Sequence, residues 1–183
     1  MKNAPLTRLG LMTKVQRRFI LAMNQAGARY VVIGGKAMQG LGILRPTHDL
    51  DVWMSTTGFT PNQVHAVLRG LAGASSESLL DRLHKSGTRV ALPNEMAPDI
   101  DILTSVGDMD FDEMYVASQP VRFGATVFRI PRREDLIRTK EAGINSLTER
   151  IVAGVWVATD LEKAQAAVTR DMADIELIRN SGG

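Results

Sequence analysis

Two strand-length stretches carry carboxylates at alternate positions, and they set the terms on which this chain can fold: Asp49-Leu-Asp51-Val-Trp53-Met and Asp99-Ile-Asp101-Ile-Leu. Successive side chains of a β-strand point to opposite faces. Asp49 and Asp51 therefore project from one side while Leu50 and Val52 take the other, and Asp99 and Asp101 share a face opposed to Ile100 and Ile102. A sheet built from such strands has an aliphatic face that must be covered and an acidic face that must meet solvent, a partner or a metal. If the two strands are neighbours, four carboxylates converge, and like charges that close raise one another's pKa unless something positive lies between them. A divalent cation meets that need, and oxygen-only ligands select Mg²⁺ or Mn²⁺. On the acids alone, a solvated sheet face and a cation site both stay open.

Periodicity and turn residues supply the elements around these strands. A helix is expected over 11–26, with Leu11, Val15, Phe19, Ala22 and Met23 on its apolar face and Gly27 as C-cap. A short buried strand follows over 30–33, ended by Gly34-Gly35, then a helix over 36–41, a turn at Arg45-Pro46-Thr47 and a strand over 49–54. Thr60-Pro61-Asn-Gln63 reads as a hydroxyl N-cap with Pro at N1 and Gln at N3, opening a helix to 71. A second helix is expected over 77–85. Strands over 88–92 and 99–104 are joined by the turn Pro93-Asn94-Glu95, and a hairpin over 119–122 and 126–130 turns at Gly124. Helices are expected over 131–140, from a capping box at Ser146 and Glu149, and from another at Thr159 and Glu162. The last keeps Leu161, Ala164, Val168, Met172 and Ile175 on one face.

The expected fold is α/β (or α+β), a mixed sheet of about five strands flanked by helices with a helical C-terminal third. It forms one domain over 1–183, with a core over about 28–140 and a helical part over about 141–183. A chain of 183 residues with 44% apolar and 23% charged side chains is long and apolar enough for that core. The net charge of +2 allows an acidic or nucleotide ligand without requiring nucleic acid. Absence of cysteine excludes disulfides, thiolate zinc sites and thiol nucleophiles. His48, His65 and His84 have no ligand spacing, so zinc is unsupported. No apolar run reaches the length of a membrane span, and the first residues lack the apolar run of a signal peptide, so a cytoplasmic protein is expected.

Gly34-Gly35 follows a strand and opens a helix. Backbone N–H groups at such a junction, unshielded by a Cβ, can approach phosphate oxygens, and Lys36 would add positive potential; a tight turn needing positive φ is the plain alternative. It is not a P-loop, since Tyr30 stands where glycine is required and Ala37 where the metal-binding hydroxyl is required.

In this order, the strand ending in Gly34-Gly35, a short helix, Arg45-x-Thr47-x-Asp49-Leu-Asp51-Val, and a later strand with Asp101 in Ile-Asp-Ile-Leu resemble the polymerase-β-like nucleotidyltransferase superfamily. Within it, the chain looks most like the small bacterial abortive-infection (AbiEii-like) toxins and minimal nucleotidyltransferases, over about 28–140. The resemblance implies transfer of a nucleoside monophosphate from an NTP to a hydroxyl of a protein, a tRNA or a small molecule. Asp49 and Asp51 would bind two Mg²⁺ (or Mn²⁺) ions, and Asp101 would complete the second metal site and help activate the acceptor. Gly34 and Gly35 would cradle phosphates. Arg45 stands at a motif position and pairs with a phosphate or with Asp49 or Asp51; Thr47 stands at another. Asp99 is an extra acid. In the tail, Lys140 and the run Arg170-Asp171-x-x-Asp174 also have the family look, with Lys140 either on nucleotide phosphate or in an ion pair with the last helix; their wide separation departs from the pattern. A toxin role with a cognate antitoxin is a further implication. The alternative is a catalytically silent module of this fold that binds nucleotide or a protein partner.

Other readings fit less well. The acidic run beginning at Gly107 is not a calcium loop, because Glu113 and Gln119 stand where an EF-hand needs glycine and glutamate; it reads as a helix start with Phe111, Met114 and Tyr115 inward. Arg-Pro-Thr-His before Asp49 and Trp53 after it do not suit a haloacid-dehalogenase-type phosphatase. Arg129, Arg132, Arg133, Arg138 and Lys140 form a basic segment, either solvated surface or an RNA or nucleotide contact.

Overall fold

Both acidic stretches form strands, and they lie side by side. A computed structural model of the chain describes residues 12–72, 77–91, 99–154 and 158–181. Its helices are α1 (Lys14–Gln25), α2 (Gly34–Gly40), α3 (Thr60–Ala72), α4 (Glu77–His84), α5 (Phe111–Ala117), α6 (Arg133–Val152) and α7 (Ala158–Asn180). Its strands are β1 (Tyr30–Ile33), β2 (Leu50–Met54), β3 (Arg89–Ala91), β4 (Ile100–Leu103), β5 (Gln119–Phe123) and β6 (Thr126–Ile130). Leu11 and the turn at Pro93-Asn94-Glu95 lie outside the described residues.

The expected sheet of about five strands is instead two sheets. Four strands form a mixed sheet of order β1-β2-β4-β3, and β5-β6 is a separate hairpin. Within the first, β2 runs antiparallel to β1 and parallel to β4, and β3 is antiparallel to β4. The hairpin joins the core through side chains rather than a ladder: Phe128 and Ile130 are buried, and the Val127 carbonyl accepts from Asn24 Nδ2 on α1 at 2.7 Å.

Alternation along the strands separates two apolar clusters. Tyr30, Val32, Leu50, Val52, Met54, Ile100 and Ile102 face the main core, where they meet Phe19, Ile20 and Met23 of α1 and Val64 and Leu68 of α3. The opposite face carries Asp51 and Asp101 at one end. Beside them, Val31, Ile33 and Trp53 form a smaller cluster with Val106 and Met114. Asp110 caps α5 by accepting from the Glu113 N–H at 2.8 Å, and Phe111 meets Trp53 edge-on, so this acidic run is the expected helix start.

Three helix expectations need correction. Val15 is 39% exposed, and Gln16 takes its place on the inner face of α1. Ser146 starts no new helix: it lies inside α6, a 20-residue helix, because nothing between Gly143 and Glu149 blocks the backbone ladder. Met172 on α7 is 57% exposed, and the inner face holds Ala164, Asp174, Ile175 and Ile178. Both errors of facing have one cause: a polar side chain with buried partners took a position that periodicity alone assigns to an apolar one.

Gln16 shows how. Thr13 and Gln16 close a reciprocal capping box at the start of α1. Gln16 Nε2 then donates to the carbonyls of His48 (2.6 Å), two residues before β2, and Asp99 (3.2 Å), the residue before β4. One buried amide thus holds the entrances of both acidic strands. Gln16→Ala leaves those carbonyls without this donor and is expected to cost about 1–3 kcal/mol in urea unfolding; a loss below about 0.5 kcal/mol would mean that water replaces the amide without penalty.

Candidate active site

Asp51 and Asp101 are directly opposite one another in the parallel register of β2 and β4. Their neighbours Leu50, Val52, Ile100 and Ile102 are locked into the core, so the two carboxylates are fixed on one face. Asp49 precedes β2, is exposed, and lines the same cleft of about 530 Å³. Gly34, Gly35, Arg45, Thr47, Arg89, Thr139, Lys140, Lys163, Arg170 and Asp171 complete its working surface.

The two glycines are required by close approach. Gly34 has φ +64, and a Cβ there would overlap the Asp51 carboxylate, with Asp51 Cγ only 3.2 Å away. At Gly35 a Cβ would stand 2.8 Å from both Cβ and Cγ2 of Thr47. The β1–α2 junction is therefore pressed against the acidic strand on one side and the Arg45–Thr47 loop on the other, which only glycine permits.

Electrostatics single out Asp51. Burial, then the charges of Asp101 and Asp49, push its carboxyl up to about 6, against smaller opposing contributions from Lys140 and Arg89. Arg89 pairs with one of these acids, its Nη2 lying 2.5 Å from Asp101 Oδ2. That bond is the main reason the guanidinium holds its proton more tightly than usual, and Asp51 and Asp49 add to it. Arg89 was not singled out from the sequence. Its signal lay in sheet register: β3 sets Arg89 opposite Leu103, which makes Asp101 its diagonal neighbour on the same face.

The other expected cations stand differently. Lys140 Nζ donates to Asp171 Oδ1 and Asp174 Oδ2, both at 2.6 Å. Arg45 Nε donates to both oxygens of Asp174 at 3.0 and 3.3 Å. Arg45 thus pairs with α7 and not with Asp49 or Asp51, and Lys140 takes the ion pair with the last helix. Lys36 is 1% exposed and outside the cleft lining; its Nζ donates to the Thr47 carbonyl at 3.3 Å, supporting the loop from beneath. Burial lowers its pKa, opposed by the charges of Asp49 and Asp99. Asp99 is also outside the cleft lining, and His48 is exposed. In the basic segment, Arg129 binds Ser118 and Arg133 binds the Ile178 carbonyl, contacts within the fold, while Arg138 makes an exposed pair with Asp135 one turn away.

Asp49, Asp51 and Asp101, the middle one with a raised carboxyl, are a hard-oxygen donor set of the kind Mg²⁺ and Mn²⁺ accept, and in that respect they fit a divalent cation. Among the described residues, however, no three His, Asp or Glu side chains already stand close enough to hold one. Asp101 is engaged by Arg89 instead. No described helix is long and apolar enough to cross a membrane. Comparison of the chain with protein-family models and with curated proteins yields no match.

Proposed function

We propose that the chain is a metal-dependent nucleotidyltransferase, moving a nucleoside monophosphate from an NTP to an acceptor hydroxyl. The observation that carries this reading is the in-register pair Asp51–Asp101, with Asp49 in the same cleft and Gly34 pressed against Asp51. Asp49, Asp51 and Asp101 would hold Mg²⁺. Bound there, the cations supply charge stabilisation at the attacking and leaving oxygens of an in-line displacement. The chain's own contribution is positional. Gly34 and Gly35 let the β1–α2 junction close on Asp51 and Thr47 and would offer its backbone to the phosphates, Arg170 and Lys163 add positive charge at the α7 wall, and Asp101 helps activate the acceptor hydroxyl. The acceptor oxygen bonds to the α-phosphorus as the bond from that phosphorus to the bridging oxygen breaks, and pyrophosphate leaves.

The test is label transfer. With Mg²⁺ and a cell extract as acceptor source, label from an α-labelled NTP should appear on a product while γ-label leaves as pyrophosphate, and Asp101→Ala should abolish both. Transfer of γ-label, or transfer that survives the substitution, would contradict the reading. A second reading is favoured by one observation: Arg89 already neutralises Asp101. In a silent module of the same fold that ion pair would be permanent, and nucleotide would bind without metal or turnover.

A further inference from the structure

The two readings differ over what Arg89 does, and its surroundings favour one answer. We infer that Arg89 is an internal counter-ion that occupies Asp101 in the metal-free protein and is displaced when a divalent cation binds the aspartates. The inference rests on the metal site proposed above.

Exposure of the two partners is unequal. The Asp101 side chain is 16% exposed and fixed by the core on either side of it, whereas the Arg89 side chain is 69% exposed. Arg89 starts β3, a three-residue strand at the edge of the sheet. The guanidinium can therefore swing away without opening the core, while the carboxylate cannot follow. A permanent structural pair would gain little in that setting, because an ion pair with one exposed partner is screened by water.

Charge gives the pair its purpose. Asp51 lies directly opposite Asp101 and Asp49 lines the same cleft, so three carboxylates meet one guanidinium at the acidic end of the sheet. The guanidinium relieves part of that repulsion but uses Asp101 Oδ2 in doing so. A divalent ion carries twice the charge of Arg89 and would draw on Asp51 directly opposite Asp101 and on Asp49 in the same cleft, so it would compete for the same oxygen. Once displaced, Arg89 still borders both the acidic cleft and an adjoining cleft of about 770 Å³, which Thr88, Ser105, Asn145 and Ser146 help to line. The positive charge then remains beside the site, free to meet an anionic ligand.

The experiment titrates Mn²⁺ into nucleotide-free protein at pH 7.5 and low salt, with free Mn²⁺ read by electron paramagnetic resonance. Wild type, Arg89→Gln and Arg89→Lys are compared, with circular dichroism verifying the fold of each. Removing one positive charge next to a divalent ion should tighten Mn²⁺ binding about tenfold in Arg89→Gln. Arg89→Lys, which keeps the charge, should bind within about twofold of wild type. Unchanged or weaker binding in Arg89→Gln, with wild type binding Mn²⁺, would overturn the displacement while leaving the metal site standing. Folded protein that binds no Mn²⁺ as wild type or as Arg89→Gln would overturn the metal site and this inference with it.

Discussion

Lys140→Met is expected to destabilise the protein by about 3–5 kcal/mol in chemical denaturation, the loss typical of removing one partner from a buried ion pair. Lys140 is 8% exposed and its two acceptors come from α7, so its removal leaves Asp171 and Asp174 facing an apolar stem. Asp174 is 3% exposed. Burial would raise its pKa, but hydrogen bonds from Arg45 and Lys140 prevail and hold it below the usual carboxylate range. Because the folded value is depressed, this contribution is present above the unfolded value of 3.8 and is lost as pH falls through the folded one. The loss in Lys140→Met should therefore shrink below about pH 4. Adding Asp171→Asn to Lys140→Met should recover part of the stability at pH 7, since Lys140 is the ion-pair partner of Asp171, whereas Asp174 keeps Arg45. A loss under about 1 kcal/mol would show that the pair is water-exchanged like a surface bridge. The cluster also has a positional role: it ties the C-terminal part of α7 to α6 and to the Arg45 loop, and so sets one wall of the acidic cleft.

Asp51→Asn is expected to act in opposite directions on stability and function. The Asp51 carboxyl titrates near 6 in the fold against 3.8 unfolded, so the native state holds the extra proton between those values. Stability from this group is thus fully present below about pH 4, declines as pH rises to about 6, and stays low above that. The neutral isostere removes the penalty, and in metal-free buffer with EDTA it should stabilise the protein at pH 7 by about 2–3 kcal/mol. The same substitution removes the central carboxylate of the proposed metal site and should lower nucleotidyl transfer by at least about a thousandfold. A denaturation series from pH 4 to 7 checks the first part: wild type should lose stability across that window relative to Asp51→Asn. Parallel pH profiles would mean that Asp51 ionises like an ordinary surface acid.

The acidic strands were legible in the sequence because a period of two is a local signal. It assigned Leu50, Val52, Ile100 and Ile102 to the core and Asp51 and Asp101 to the other face, and it needed no knowledge of distant residues. Gly34-Gly35 was legible in part: the tight turn needing positive φ is found at Gly34, but the approach of the two glycines to Asp51 and Thr47 was not read. What escaped is long-range. The hairpin β5-β6 separates from the main sheet because its side chains, with Asn24 on one carbonyl, dock it on α1 and β1. Arg89 reaches Asp101 only through the register of β3 against β4. Gln16 and Asp174 occupy inward positions because partners far along the chain satisfy them, and no window of the sequence contains those partners. Arg45 lies 129 residues from Asp174, which is why its choice between a phosphate and an acid stayed open from sequence alone.

The central claim is a triphosphate site that depends on metal and on the aspartates of β2. It is tested most directly by calorimetric titration of each of the four NTPs into the protein with Mg²⁺ and with EDTA, for wild type and for Asp49→Ala/Asp51→Ala. The account predicts that at least one NTP binds wild type with micromolar affinity in Mg²⁺, and that this binding is lost in EDTA and in the double variant. Binding that persists in EDTA or in the double variant, or folded wild-type protein that binds no NTP in Mg²⁺, would contradict it.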